Sequence, residues 1–224
     1  MYIPAPFKVH PAIAFAFAAA RGFGTVIACD GGRPVATSVP FLLTETHGKS
    51  ARVSFHVAKG NPLAALAQKC APWLLSVSGP DAYVSADWYA SGHQVPTWLY
   101  ESVQLGGPVH VISADQIRAH LDALSAKFEE RLLPKKPWTS DKLPPDRLDM
   151  LSKAIVGIEM EVESVEGSFK LNQHKTDADN VSVANALAAQ PDPDAQLLAA
   201  RMVALRPHLL YETGGTTAPD LEKV

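Results

Sequence analysis

The sequence predicts a mainly β fold with added helices, built on an antiparallel barrel. Three observations predict it. Early apolar runs are joined by glycine-containing turns at Asp30-Gly31-Gly32 and His47-Gly48-Lys49. Strand-like and helix-like segments come in blocks, not in the alternation that builds a doubly wound parallel sheet. A chain of 224 residues suits one barrel with helical additions, large enough to bury roughly 70% of its unfolded surface without staples.

The opening MYIPAPFKVHP carries three prolines and reads as an extended arm. Ala12–Ala20 is alanine-rich and reads as a short helix ended by Gly22 and Gly24. Phe23–Cys29 is a strand, turned by Gly31-Gly32, because glycine supplies the positive φ a tight hairpin needs. Pro34–Thr44 is the return strand, and Arg52–Val57 alternates as a third. Asn61-Pro62 opens a short helix, with asparagine as cap and proline in the first turn. Trp73–Ser78 is a strand, broken at Gly79-Pro80-Asp81 and followed by a short one at Tyr83–Ser85. Val95–Ile112 is expected to fold as a hairpin about Gly106-Gly107. Ser113 and Gln116 form a capping box for a helix whose face is Ile117, Leu121, Leu124, Phe128 and Leu132, stopped by Pro134. Asp146–Lys153 is a second helix. Ile155–Val165 returns to strand, Gly167 marks a turn, and helices follow at Thr176–Ala189 and Ala195–Leu205. The tail from Glu212 on reads as loose.

Composition excludes several functions. The longest early apolar run, Ile13–Ala20, is far too short to span a bilayer. No basic segment precedes it and no cleavage site is convincing, so a cytoplasmic, non-membrane protein is expected. Net charge is −3, which argues against a dedicated nucleic-acid binder, since Lys and Arg supply most of that affinity. Cys29 and Cys70 lack metal-type or CxxC spacing and read as free thiols. No GxSxG, HExxH or GxxxxGK motif appears, and the histidines are scattered, so no hydrolase or metal site is indicated. Glu159, Glu161 and Glu163 form a row along one strand face, which reads as a solvated face, because metal sites need convergent carboxylates.

Three segments carry candidate chemistry. Thr46–Pro80 has no Asp or Glu but holds Lys49, Arg52, Lys59 and Lys69. At its centre HVAKGNP runs from a strand end, with His56 and Lys59, into a helix start at Asn61. An anion site there stands beside the plainer reading of a solvated basic edge with an ordinary cap. Gly79–Tyr100 gathers Tyr83, Trp88, Tyr89, Trp98 and Tyr100 among glycines and prolines, either core or interface packing or a pocket for a planar ligand. SFKLNQHK (Ser168–Lys175) packs hydrogen-bonding side chains, Lys170 and Gln173 among them, into an exposed loop or a ligand-contacting strand end.

Taken in order, MYIPAPF, HVAKGNP, GPDAYVSADWY, VPTWLY and KLNQHK resemble the PaiB-type FMN-binding family, also described as negative transcriptional regulators. The resemblance covers Met1 to about Val183. It implies an FMN-binding split β-barrel, antiparallel and of Greek-key type, related to pyridoxamine-phosphate oxidase-like flavoproteins. Residues 1–190 would be the barrel domain with its helical elaboration, and 191–224 a C-terminal helix and tail. It implies FMN as cofactor and a homodimer with flavin at the subunit interface.

The residues follow from the same resemblance. The FMN phosphate would meet His56, Lys59 and Asn61, with Ser38 at the phosphate or ring edge. Trp88, Trp98 and Tyr100 would lie near the isoalloxazine or the partner subunit. Lys170 and Gln173 would reach the flavin from the second subunit. Three departures stand out: Leu99 replaces an asparagine of the family pattern, Ala86 a proline, and KLNQHK varies the closing motif at Asn172 and His174. The implied function is flavin binding with a flavin-dependent oxidoreductase or regulatory role, in which the cofactor carries the redox chemistry and no catalytic acid or base is named. A transcriptional repressor acting on DNA or through a partner is the alternative, although no helix-turn-helix or basic helix supports DNA contact. A haem-binding split barrel is a third, with His56, His93 and His174 as the available axial ligands.

Overall fold

The computed structural model describes residues 1–45 and 51–212. The expected turn at His47-Gly48-Lys49 and the tail beyond Glu212 lie outside the described residues. Among the described residues eight strands form: β1 (Phe23–Asp30), β2 (Arg33–Pro40), β3 (Leu42–Thr44), β4 (Arg52–Ala58), β5 (Pro72–Val84), β6 (Thr97–Val111), β7 (Ile155–Glu161) and β8 (Ser164–Lys170). Six helices accompany them: α1 (Pro11–Arg21), α2 (Pro62–Leu66), α3 (Ile117–Glu130), α4 (Pro145–Ser152), α5 (Asp177–Ala188) and α6 (Pro193–Leu205). No helix among the described residues is long and apolar enough to cross a membrane.

The chain divides into two compact units. One holds Met1–Phe17, Ser78–Val103 and the described residues from Glu166 onward; the other holds Ala18–Val77 and Gln104–Val165. In the second unit the strands follow the hydrogen-bonded path β2-β1-β5-β6-β7-β4-β3, and the registered pairs β1–β2, β1–β5, β3–β4, β4–β7 and β6–β7 are antiparallel. The two edges of that path, β2 and β3, are consecutive in sequence, with only Phe41 between them. A sheet whose first and last strands are one residue apart must curl on itself, which is barrel logic. Phe41 is fully buried, and its N–H leaves the ladder to donate to Gly22 O at 2.8 Å. The return strand expected over Pro34–Thr44 is therefore two strands. Pro40 has no N–H to continue the ladder, and the chain changes partner from β1 to β4.

Inward positions alternate as the sequence suggests. In β4, Val53, Phe55 and Val57 are buried while Ser54 and His56 are half-buried on the other face. Phe41, Leu75, Leu105, Val109, Ile158 and Met160 complete this core. In the first unit the core is Leu99, Val103, Phe169 and Leu171 with Val183, Leu187, Leu198 and Met202 of α5 and α6.

Glycine is where sequence and structure part. At Gly31-Gly32 the expectation holds: both have positive φ (+56° and +89°), and Asp30 pairs with Arg33, a two-residue hairpin. Gly22, at φ +61°, ends α1 as expected, while several others permit close approach instead of turning the chain. β5 runs unbroken through Gly79-Pro80-Asp81, absorbing the strand expected at Tyr83–Ser85; a Cβ on Gly79 would lie 2.7 Å from the Phe17 ring. β6 runs straight through Gly106-Gly107, so the expected hairpin is absent. Gly167 lies buried inside β8, not in a turn, where a Cβ would meet Val9 at 2.4 Å. The strand expected to run to Val165 stops at Glu161, and β8 starts at Ser164.

Smaller differences follow local chemistry. The N-terminal arm forms a 3₁₀ turn at Ala5–Phe7 and bridges Ser168 through Lys8. The Ser113–Gln116 capping box is not made: the Ser113 hydroxyl donates to the Gln116 side chain at 3.0 Å, and α3 starts only at Ile117, after Gln116 and without a side-chain cap. Leu132 falls beyond α3 and is 52% exposed.

The glycine pair in β6 provides a test. A Cβ on Gly107 would sit 1.7 Å from the Glu161 carbonyl oxygen, which backbone cannot yield, whereas on Gly106 the first obstacle is the Ser164 hydroxyl at 2.7 Å, which can rotate away. Gly107→Ala is expected to cost about 3 kcal/mol or more, and Gly106→Ala about 1 kcal/mol or less, measured by urea denaturation.

Candidate functional site

The turn after β4 is the best-organised corner of the second unit. β4 ends at Ala58, the Lys59 N–H donates to Ala154 O at 2.9 Å, and the Asn61 N–H donates back to Ala58 O at 2.9 Å. Asn61 then caps α2, its Oδ1 accepting from the Leu63 N–H at 2.9 Å, with Pro62 in the first turn. Its Nδ2 donates to the Thr37 hydroxyl of β2 at 3.1 Å. Asn61 thus braces two elements at once, and such a cap is worth about 1 kcal/mol. The Leu63 N–H, one of those open to an anion on the sequence reading, is occupied by this cap. Lys59 and Gly60 remain exposed.

Thr37 is the β2 hydroxyl engaged at this corner, while the sequence reading named its neighbour Ser38. Successive strand side chains point to opposite faces, and Ser38 lies with Thr25 on the other face of β2, hydroxyl to hydroxyl at 3.2 Å. The alternation of β2, with Val39 and Val35 on the more buried side, was the signal for Thr37.

His56 turns toward α3. Its Nδ1 lies 3.2 Å from Nε2 of His120, with the rings edge-on at 80°. His120 is buried, and its Nδ1 has no hydrogen-bond partner among the described residues. Burial lowers the pKa of His56, and burial followed by the neighbouring His56 pulls His120 down to about 4. The contact needs one imidazole nitrogen as donor and the other as acceptor, so two neutral rings satisfy it. Nearby, Glu159 accepts from Arg52 at 3.2 Å and lies 3.2 Å from His110. The glutamate row therefore contains an ion-pairing residue, and the described residues hold no cluster of three or more metal-ligating groups.

The other candidates belong to the first unit. Trp98 is 54% exposed and meets the half-exposed Tyr83 edge-on, with centroids 6.1 Å apart. Tyr100 places its hydroxyl 3.5 Å from Ser168 Oγ. Trp98 and Tyr100 line a groove of about 360 Å³ with Ser78, Asp81 and Ser102. Trp88 ends a 3₁₀ turn at Ala86–Trp88 and is half-buried. Lys170 donates to the Thr97 hydroxyl and stands 5.8 Å from the Phe7 ring; burial, then Lys175, lowers its pKa. Gln173 is committed to its own loop, accepting from the Leu171 N–H at 2.7 Å and donating to Phe169 O. Of the haem-ligand candidates, His93 is exposed at φ +62° and His174 packs edge-on to Phe7 at 5.2 Å.

Several residues that organise this unit were not singled out from sequence as site residues. Asp179 accepts from the Ser91 N–H at 2.8 Å and hydroxyl at 2.9 Å. Asn172, at φ +60°, accepts from the Tyr89 hydroxyl at 3.4 Å. Lys175 donates to Gln94 at 2.6 Å over the Tyr89 ring. Arg206 grips the Gln173 and Lys175 carbonyls at 2.9 and 3.0 Å and Asp177 at 2.7 Å. Leu99, the most conspicuous departure from the family pattern, is fully buried. Its side chain belongs to the core, not to the exposed aromatic surface.

The histidine pair has a pH signature. Folded His120 resists protonation until about pH 4, whereas the unfolded chain takes up that proton near pH 6.5. Stability present above pH 6.5 is therefore lost as pH falls through that window, by on the order of 1–3 kcal/mol. Urea midpoints at pH 7.5 and pH 5 are expected to show this loss, and His120→Gln to flatten it.

Comparison with known proteins closes the question of family. A family model described as a "Putative FMN-binding domain" matches residues 1–164. Protease synthase and sporulation protein PAI 2 of Bacillus subtilis (strain 168) is 33% identical over 205 residues, 90% of this chain and 96% of that protein. An FAD and haem binding protein from Mycobacterium smegmatis has a similar structure, with TM-score 0.50 and 21% identity over 72% of this chain and 71% of that one. A conserved hypothetical protein from Mycobacterium tuberculosis gives 0.53 at 11% identity over 75% and 90%. The structural likenesses bear on fold alone, a mainly antiparallel sheet with added helices. The match over residues 1–164, with one third identity along nearly the whole of PAI 2, places this chain in the FMN-binding domain family, in its PaiB branch.

Proposed function

We propose that this protein is an FMN-carrying homodimer in which the turn between β4 and α2 receives the flavin phosphate. The observation that carries the reading is the state of that turn. Asn61 is held by α2 and β2, His56 by α3, and the Lys59 side chain alone among the motif's polar groups is exposed and makes no ion pair among the described residues. The donors present fit a phosphate dianion: an ammonium, with the hydroxyl of Thr37 on the corner-facing side of β2. Lys59 and a hydroxyl would hold the phosphate, and Asn61 would position the turn.

Trp98, Tyr100 and Lys170 of one subunit form the surface offered to the flavin of the other. Exposed tryptophan and tyrosine beside polar groups suit both an aromatic ligand and an interface. Bound FMN would supply one- and two-electron redox chemistry, while the chain's own residues bind, orient and shield it. A regulatory role would act through flavin occupancy. The α3 surface mixes Asp122, Glu129 and Glu130 with Arg118 and Lys127 and so presents no basic stripe for DNA.

Titration of the full chain with FMN, followed by quenching of flavin fluorescence, tests the reading. Saturable binding is expected, weakened about tenfold or more by Lys59→Glu and more strongly salt-dependent in the wild type. Absence of saturable binding, or an unchanged affinity in Lys59→Glu, would overturn the phosphate assignment.

A further inference from the structure

A second cavity, apart from the aromatic groove, lies wholly within the second unit, between the start of α3, the end of α4 and the adjoining ends of β6 and β7. It measures about 530 Å³, within the range of small-molecule sites. Its walls are apolar, from Ile112, Ile117, Leu148 and Ile155 among others, while Lys59, Arg118 and Lys153 supply three cations against the single carboxylate of Asp149. Gly157 shapes it: a Cβ there would strike Ile117 at 2.5 Å, so α3 comes down onto β7 at the one residue without a side chain.

The charges are unusual for their surroundings. Lys59 and Lys153 make no ion pair among the described residues, and Arg118 reaches only Asp122, at 3.8 Å, and the Ser140 hydroxyl, at 3.4 Å. A solvated basic edge needs no cavity behind it. Here the cations border a pocket with an apolar interior, in a chain whose net charge is −3. Apolar walls favour a hydrocarbon or aromatic body, at about 0.8 kcal/mol per buried methylene. Two unpaired lysines and an arginine held only by a long, exposed ion pair favour an anionic head, because a carboxylate accepts charge-assisted hydrogen bonds from them. A neutral ligand would leave the cations unused, and a cationic one would be repelled.

We propose that this cavity binds a small amphipathic monoanion, a carboxylate on an apolar body of medium length, with Arg118 and Lys153 as head-group contacts. The site stands independently of the flavin reading, sharing with it only Lys59.

The test uses the full chain with 1-anilinonaphthalene-8-sulfonate as fluorescent probe, octanoate as competitor and octylammonium as the charge-reversed control. Saturable probe binding is expected, displaced by octanoate and not by octylammonium. The double variant Arg118→Glu/Lys153→Glu should weaken octanoate by about tenfold or more, and Leu148→Trp should reduce it by filling the cavity. Both should keep the wild-type circular dichroism. Because the charge variants lie on the surface, they remain informative if Leu148→Trp fails to fold. Equal displacement by octylammonium, an unchanged octanoate affinity in the double variant, or no saturable probe binding would each overturn the proposal.

Discussion

One residue closes the second unit. β2 and β3 are the outermost strands of the sheet path, yet only Phe41 separates them in sequence. A flat sheet would hold its first and last strands several strand spacings apart, at about 4.8 Å each, far beyond the reach of a single residue. The covalent link therefore forces curvature, and burial of the Phe41 ring makes that curvature favourable. Its N–H is satisfied by Gly22 instead of a ladder partner. The strand alternation that faces Val53, Phe55 and Val57 inward follows from this closure, because a curled sheet has a defined inside.

The same closure explains what the glycines do. A curled sheet brings chain segments over one another, and each crossing needs a position without a side chain. Gly107 under the Glu161 carbonyl, Gly157 under Ile117 and Gly24 beside the Ser76 carbonyl at 2.7 Å are such positions. None has the positive φ that marks Gly31 and Gly32. Glycine thus has two uses here, a positive φ at the first hairpin and at Gly22 after α1, and yielded space at these close crossings.

That distinction sets how much was legible in the sequence. Local signals were readable: the Gly31-Gly32 hairpin, the Asn61-Pro62 helix start and the alternation of β4 depend on neighbours a few residues away. The misread glycines depend on contacts distant in sequence, Gly79 with Phe17 and Gly107 with Glu161, which no short window contains. The polar motifs divide likewise. KLNQHK read as either an exposed loop or a ligand-contacting strand end, but Gln173 spends both ends of its amide on its own loop, and Asn172 is buried against Tyr89. Residue type and spacing showed that hydrogen bonds would be made there; only the fold shows that many of them are internal. The departure at Leu99 resolves in the same way, because its importance depended on whether the side chain faced ligand or core.

HVAKGNP carries this argument furthest. As a sequence it offers His56, Lys59 and Asn61 as equals. Folded, they have three different tasks. His56 and His120 cannot both be protonated, since that would set two donors against each other, and burial lowers the pKa of both. Asn61 has both ends of its amide engaged, so its contribution is to fix the angle between β4 and α2. Lys59 alone keeps its donors for solvent or a ligand. A motif that looks like a binding site by composition thus consists of one exposed charge and two residues that hold it in place. That division suits anion recognition, because an ammonium at the end of four methylenes gains most when the backbone beneath it is rigid.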